Sequence, residues 1–489
     1  METLTQTRKD PIRPYDYEEW RSGYRSLTEE YDYPIEDIEG EIPADLCGTL
    51  FRNGPARFER GEQRCQHPFD GDGMVCSFTF KDGKAHFRNR YVRTEGFVEE
   101  EKAGKYLYRG VFGTQKPGGW LANMFDFRLK NIANTNVIYW GGKLLALWEA
   151  AEPHRLDPHT LETIGIDYLD GVLKPGGAFA AHPWMDPGIE TGAPRLVNFS
   201  LKPGLSTTIT IYEFDEAGNL MLEHSHPIPG FAFIHDFAIT PKACIFFQAP
   251  AFFNPVPFLL GIKGPGECLD FKLEKPTQIV VIPRDGSKAE IYPVQSGFVF
   301  HHANAFEEGD EIIVDSVCYG FFPSVKEGQD FLDVDFDALA PGQLWRSRIN
   351  RKTGEVTRTL IEERCCEFPY VHPHNAGHPY RMLYMGAAHE PRGNAPLQAI
   401  LKRDMETGET QLWSVAPSGY VSEPIFVPFP GKTGEEEGWL MTLVYNGQTR
   451  KSELVILDAR NLREPVAKLK LRNHIPYGLH GSFTSEYFG

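Results

Sequence analysis

Leu401-Lys-Arg-Asp404-Met-Glu-Thr-Gly408 reads as a strand that ends on a carboxylate, a polar turn, and a glycine that starts the chain on its way back. The same figure recurs as Ile211-Tyr-Glu-Phe-Asp215-Glu-Ala-Gly, Val281-Ile-Pro-Arg-Asp285-Gly, Arg348-Ile-Asn350-Arg-Lys-Thr-Gly and Val455-Ile-Leu-Asp458, with a weaker copy at Arg155-Leu-Asp157-Pro-His-Thr. Asn350, Asp404 and Asp458 are spaced by 54 and 54 residues. A period of about fifty in a chain of short strands marks a β-propeller, each repeat being one four-stranded blade. The remaining strand-like runs, among them 48–52, 74–80, 85–93, 137–139, 144–148, 195–201 and 207–214, are punctuated by 47 Gly and 37 Pro, and helical periodicity is scarce.

The residues reached after each hairpin carry the chemistry. Beyond Asp157, Asp215, Asp285, Asn350, Asp404 and Asp458 come His182, His235, His301, Glu367, Glu423 and His480, at gaps of 25, 20, 16, 17, 19 and 22 residues. These metal-competent side chains occupy one place in successive units, where the chain returns to the innermost strand of a blade, so they converge on the central axis. His480 lies nine residues from the last residue. Its strand is expected to complete a blade begun by residues 48–93. With a unit opening at Asn131-Ile-Ala-Asn134-Thr-Asn136, the expected architecture is all-β: a seven-bladed β-propeller spanning 1–489 as one domain. Insertions near 96–130 and 249–275, with short helices and loops, would cap one face.

The run Gly297-Phe298-Val299-Phe300-His301-His302-Ala303-Asn304 puts two histidines on one strand. Neighbouring strand side chains point to opposite faces, so one of the pair is a ligand and the other a bystander. Four neutral imidazoles without cysteine suit iron, copper, nickel or zinc; zinc closes tetrahedrally, whereas iron leaves positions open for a gas or substrate. Glu149, Glu367 and Glu423 would orient ligand rings by accepting their second N–H. His67, His86, His154 and His159 read as structural. His372, His374, His378 and His389 form a rival cluster, but Pro373 and Pro379 make it a loop. Asp70-Gly-Asp72-Gly is too short for a calcium loop, and no phosphate-binding, dinucleotide or nucleophile-elbow motif is present.

Composition narrows the partners. The 489 residues are 41% hydrophobic and 24% charged, with a formal charge of −17, which argues against nucleic acid and phosphate-rich ligands. The charged residues 1–20 exclude a secretory signal there, no apolar run approaches a bilayer span, and the eight cysteines lack a paired motif. A cytoplasmic protein with reduced thiols is expected.

Several motifs together resemble the carotenoid cleavage oxygenases: Gly48-Thr-Leu-Phe-Arg-Asn-Gly-Pro55, His67-Pro-Phe-Asp-Gly-Asp-Gly-Met74, Asn131-Ile-Ala-Asn-Thr-Asn136, Phe233-Ile-His235-Asp-Phe, Phe300-His301-His-Ala-Asn-Ala-Phe, Ser422-Glu423-Pro-Ile-Phe-Val-Pro428 and Leu479-His480-Gly-Ser. The one departure is Phe51, where the family usually has Tyr. The resemblance implies a seven-bladed propeller holding Fe(2+) on His182, His235, His301 and His480, with Glu149, Glu367 and Glu423 behind them, and so selects His301 over His302. It further implies a dioxygenase that uses O₂ to cleave the central 15,15′ double bond of apo-carotenals or apo-carotenols to retinal-type aldehydes. An aromatic tunnel of Phe112, Trp148, Phe233, Phe300 and Tyr319 is expected to position the polyene. The Phe252/Phe253/Phe258/Leu259/Leu260 loop is expected to touch a membrane surface peripherally, and no obligate protein partner is expected. The alternatives are other bond cleavage of carotenoids or stilbenes, retinoid isomerohydrolysis, or a non-catalytic carotenoid-binding propeller.

Overall fold

A computed structural model describes residues 14–204, 206–322 and 330–489. Seven antiparallel sheets of four to six strands form the blades of a propeller. The second blade shows the plan: Asn136–Trp140, Lys143–Leu147, His154–Leu156 and Thr163–Ile166 pair consecutively from the innermost strand outward. The third begins with Trp184–Asp186, the fourth with Ala238–Ile239, the fifth with Phe298–Glu308, the sixth with Cys366–Tyr370 and the seventh with Ile425–Pro428.

Every one of the six repeated Asp/Asn positions falls in the outermost hairpin of its blade, and the structure gives the reason. The side-chain oxygen folds back onto the turn it starts: Asp404 Oδ1 accepts the amides of Glu406 and Thr407 at 2.9 and 3.1 Å, and Asn350 Oδ1 accepts those of Lys352 and Thr353 at 3.0 Å. Asp157, Asp215, Asp285 and Asp458 do the same for their own turns. A short acceptor that caps its own backbone makes a tight reversal cheap, which is why the repeat is visible in the sequence.

The ring closes by exchange of strands. Gly481–Thr484 pairs with Gly48–Arg57 as the innermost strand of the first blade, while Ile38–Gly40 adds to Asn461–Lys470 on the seventh. Between blades the packed faces are mostly apolar. Phe78, Phe87, Leu454 and Ile456 belong to one buried cluster joining the first and seventh blades, and Phe199, Phe237 and Phe246 to another joining the third and fourth. Each such side chain contributes about 1.5–3 kcal/mol by leaving water.

Two segments stand outside this plan. Residues 96–130, between the first and second blades, carry most of the helix Glu95–Ala103 and the helix Gly119–Asn123; residues 249–275, between the second and third strands of the fourth blade, carry Ala251–Phe253, the helix Pro255–Leu259 and Leu269–Phe271. The two meet. Phe125 N donates to Leu259 O at 3.0 Å, and the Arg109 guanidinium donates to the carbonyls of Asp126, Phe258 and Lys263 while lying 4.3 Å from the Phe258 ring.

Candidate metal centre

The inner strands bring the histidines together. His182 precedes Trp184–Asp186 by two residues, His235 precedes Ala238–Ile239 by three, His301 lies in Phe298–Glu308, and His480 immediately precedes Gly481–Thr484. Four polypeptide segments thus deliver imidazoles to the axis, with all four ligand atoms within 4.8 Å of one another. His182 Nε2 lies 2.9 Å from His235 Nε2, and His301 Nε2 lies 3.1 Å from His480 Nε2.

Behind three of the rings stands a carboxylate. His235 Nδ1 donates to Glu149 at 2.6 Å, His301 Nδ1 to Glu367 at 2.5 Å and His480 Nδ1 to Glu423 at 2.8 Å. A carboxylate only accepts, so these Nδ1 atoms carry the proton and the Nε2 atoms present bare lone pairs. Lone pairs that face one another at such distances repel unless a cation lies between them. Two nitrogens about 2.1 Å from one ion stand about 3.0 Å apart at a right angle and about 3.4 Å apart at a tetrahedral angle. The observed approaches match the right angle, so the donor set fits a divalent metal with positions to spare.

The protonation energetics agree. Burial, helped by the neighbouring imidazoles, holds His182 well below the usual imidazole range, and burial lowers His480 to about 4 against the pull of Glu423. At His301 burial also opposes the charged form, but Glu367 outweighs it and raises the ring, so a proton competes with a metal there. Glu367 and Glu423 stay below their ordinary value despite burial, because His301 stabilises the first and His480 with Arg52 the second.

His302 takes the other face. A register shift between Val299 and His302 puts His301 in a bulge, while His302 Nδ1 bonds Ser316 Oγ at 2.7 Å and its amide donates to Asp236. The rival cluster disperses: His372 accepts the His374 amide, His378 bonds Ala376 O and His389 bonds Ser414. Among the described residues, His182, His235, His301 and His480 are the group of three or more side chains able to hold a metal. All eight cysteines are free.

A cavity of ≈ 160 Å³ reaches the centre from the side of the insertions, and Phe112, Trp148, Phe300 and Tyr319 are among the residues that line it. Phe233 stands farther out, stacked on Phe298 at 5.8 Å and meeting Phe322 edge-on. A second cavity of ≈ 260 Å³ runs along the axis on the opposite side, past Met185, Asp236 and Phe483. Phe368 borders both; its ring packs on His301 and His480, and its φ of +54° is left-handed.

Sequence reasoning missed Arg52. It is buried, donates to Glu423 Oε2 at 2.5 Å and to Leu479 O at 2.9 Å, and is the sole cation bonded to any of the three carboxylates among the described residues. The available signal was an arginine in the interior of a strand whose other charge, Arg57, stands at its end, since such a residue needs a buried anion. Phe69, Thr135 and Leu479, which also line the insertion-side cavity, left no signal beyond their motifs.

A family model described as retinal pigment epithelial membrane protein matches residues 24–485. The chain belongs to this family, the carotenoid oxygenases. This carotenoid oxygenase is 54% identical over 487 residues to the apocarotenoid-15,15′-oxygenase of Synechocystis sp., covering 99% of each chain. It is 33% identical to the lignostilbene-α,β-dioxygenase isozyme III of Sphingomonas paucimobilis, covering 94% of this chain and 95% of that one. The solved structure of cobalt-substituted Synechocystis apocarotenoid oxygenase superposes with a TM-score of 0.95 at 54% identity, covering 96% of this chain and 99% of that one.

Proposed function

We propose that this carotenoid oxygenase is a non-haem Fe(2+) dioxygenase that cleaves the central 15,15′ double bond of apo-carotenals or apo-carotenols with O₂, giving retinal-type aldehydes. The observation that carries the reading is the convergence of four imidazole lone pairs at the end of an aromatic-walled cavity. Identity of 54% to an apocarotenoid-15,15′-oxygenase over nearly the whole chain supports the substrate class.

His182, His235, His301 and His480 would hold the iron, and Glu149, Glu367 and Glu423 would fix their rings. Bound there, iron supplies activation of O₂, which a polyene without acidic protons or leaving group cannot recruit from side chains alone. The protein's own part is positional. Phe112, Trp148, Phe300 and Tyr319 present flat, stiff surfaces that exclude water and hold one double bond against the centre, while Phe233 and Phe298 line the approach. The insertions 96–130 and 249–275 act as the cap of a single propeller domain.

Substrates this apolar dissolve in membranes, and we place the protein in the cytoplasm with peripheral contact to a bilayer. No helix among the described residues is long and apolar enough to cross one. The exposed apolar residues of the two insertions favour surface contact: Trp120 is 54% exposed, Leu121 66% and Phe125 62%, beside Val256, Leu260 and Ile262. Phe253, Phe258 and Leu259 of the expected loop are instead partly buried, whereas Phe252 and Leu260 are exposed. Replacing Trp120 and Leu121 by Asp should abolish sedimentation with liposomes; unchanged sedimentation would remove the membrane contact.

Incubation with a series of apo-carotenals under ¹⁸O₂, with products read by chromatography and mass spectrometry, tests the activity. Two labelled aldehydes cut at 15,15′ are expected. Cleavage of stilbenes alone, or isomerised products without label, would replace the reading.

A further inference from the structure

The motif His67-Pro-Phe-Asp70 contributes Phe69 to the cavity wall, but Asp70 itself does not face the cavity. Asp70 is 3% exposed, and both its carboxylate oxygens are engaged by a single loop. Oδ1 accepts the Phe112 amide at 3.0 Å; Oδ2 accepts the Thr114 amide at 3.2 Å and the Thr114 hydroxyl at 2.7 Å. The loop closes tightly over the acid: Gly110 N donates to Thr114 O at 2.9 Å, and a Cβ at Gly110 would lie 2.4 Å from the Asp70 carboxyl. Thr114 Oγ1 in turn accepts the Gln66 amide at 2.9 Å, tying the loop to the residue before His67.

The ring this loop presents is Phe112. It lies 5.0 Å from His67 at an angle of 33° and 5.7 Å from Phe69, and both phenyl rings line the insertion-side cavity. His67 packs against both, with Nδ1 accepting the Phe69 amide at 3.2 Å.

We propose that Asp70 is a positioning residue that fixes Phe112 as the wall setting how far a polyene advances past the metal centre, and hence which double bond is cut. The proposal rests on the apocarotenoid reading of the site. An acid is required because three donors converge on it: an amide in its place turns an N–H toward the Phe112 amide in one orientation and toward the Thr114 donors in the other. Without its pin on Asp70 the loop no longer fixes the Phe112 ring, and a misplacement of about 1 Å can cost about 100-fold in rate at the reacting bond.

The test compares wild type, Asp70→Asn, Thr114→Val, Phe112→Ala and the Asp70→Asn/Phe112→Ala double variant on apo-carotenals of graded chain length. Measured are the ratio of products cut at neighbouring bonds, kcat and KM, melting temperature, and binding of each apo-carotenal by quenching of tryptophan fluorescence. Asp70→Asn is expected to lower kcat/KM at the central bond by about 10–100-fold and to raise the share of neighbouring-bond products. Thr114→Val should act in the same direction by less, and Asp70→Asn should change nothing further in the Phe112→Ala background. A product ratio and apo-carotenal affinity equal to wild type in both Asp70→Asn and Thr114→Val overturn the proposal, as does an equal effect of Asp70→Asn with and without Phe112. If Asp70→Asn does not fold, Thr114→Val alone decides by the same criterion. If the wild type cleaves no apo-carotenal, the functional reading fails, and weakened apo-carotenal binding in Thr114→Val still separates a positioning Asp70 from an inert one.

Discussion

The ring of blades and the two insertions that sit against it are built by opposite rules. In the ring, one device is used six times: an Asp or Asn closes the outer hairpin, and the returning chain delivers a polar side chain to the axis. In the insertions nothing repeats; their order depends on single buried ionic groups. Arg109 gathers carbonyls from both segments, and Lys130 donates to Asp72 at 2.8 Å and to Glu100 at 2.7 Å. Periodicity makes the first region tolerant of any one loss, whereas the second concentrates its consequences in a few residues.

The sharpest break of that contrast should come where a lone charge enters the ring. Glu423→Gln strands Arg52 in the interior, and removing one partner of a buried pair costs about 3–5 kcal/mol. Urea denaturation should show that loss together with weakened metal binding; an unchanged midpoint would mean that Arg52 finds another acceptor. Glu149→Gln, whose carboxylate is more exposed and is bonded to His235, should leave stability near wild type while lowering metal affinity by about 10–100-fold. Competition titration with a chelator measures it, and equal affinity would deny the carboxylate its orienting role.

Acid provides a third probe. Burial holds His67 at about 3, with His154 and His372 at about 4, against an ordinary 6.5. Their folded values are depressed, so the unfolded chain takes up protons that the folded chain refuses. Stability is therefore full above pH 6.5 and is lost as pH falls from there through about 4 to about 3. Melting curves of the metal-free protein across that window should descend steadily, and a flat profile would show that these rings gain partners when protonated.

The smallest effect belongs to the repeated hairpins. Asp157→Ala removes two turn acceptor bonds, to His159 and Thr160, at the rim. About 1 kcal/mol and no change in metal content are expected; loss of metal would mean that the outer hairpins govern the axis.

The same division explains what could be read from the chain. Blade number and the axial histidines were legible because spacing repeats the same physical solution, and His301 and His302 could be given different roles because adjacent strand residues face apart. Arg52 was hidden because its partner Glu423 lies 371 residues away and only the closed ring brings them together. Phe233 was expected in the aromatic tunnel; its ring stacks on Phe298 and meets Phe322 edge-on, an arrangement that depends on how segments distant in sequence pack. Phe258 and Leu259 looked exposed as an apolar run, yet Arg109 and Phe127 fold over Phe258.

The most direct measurement is metal content by plasma mass spectrometry on the protein purified with iron(II) without oxygen, set beside His301→Ala. One iron per chain in the wild type, and almost none in a variant whose circular dichroism and melting temperature are retained, is the predicted result. Stoichiometric iron in His301→Ala, or a wild type that binds none, would contradict convergence of the four imidazoles on a metal.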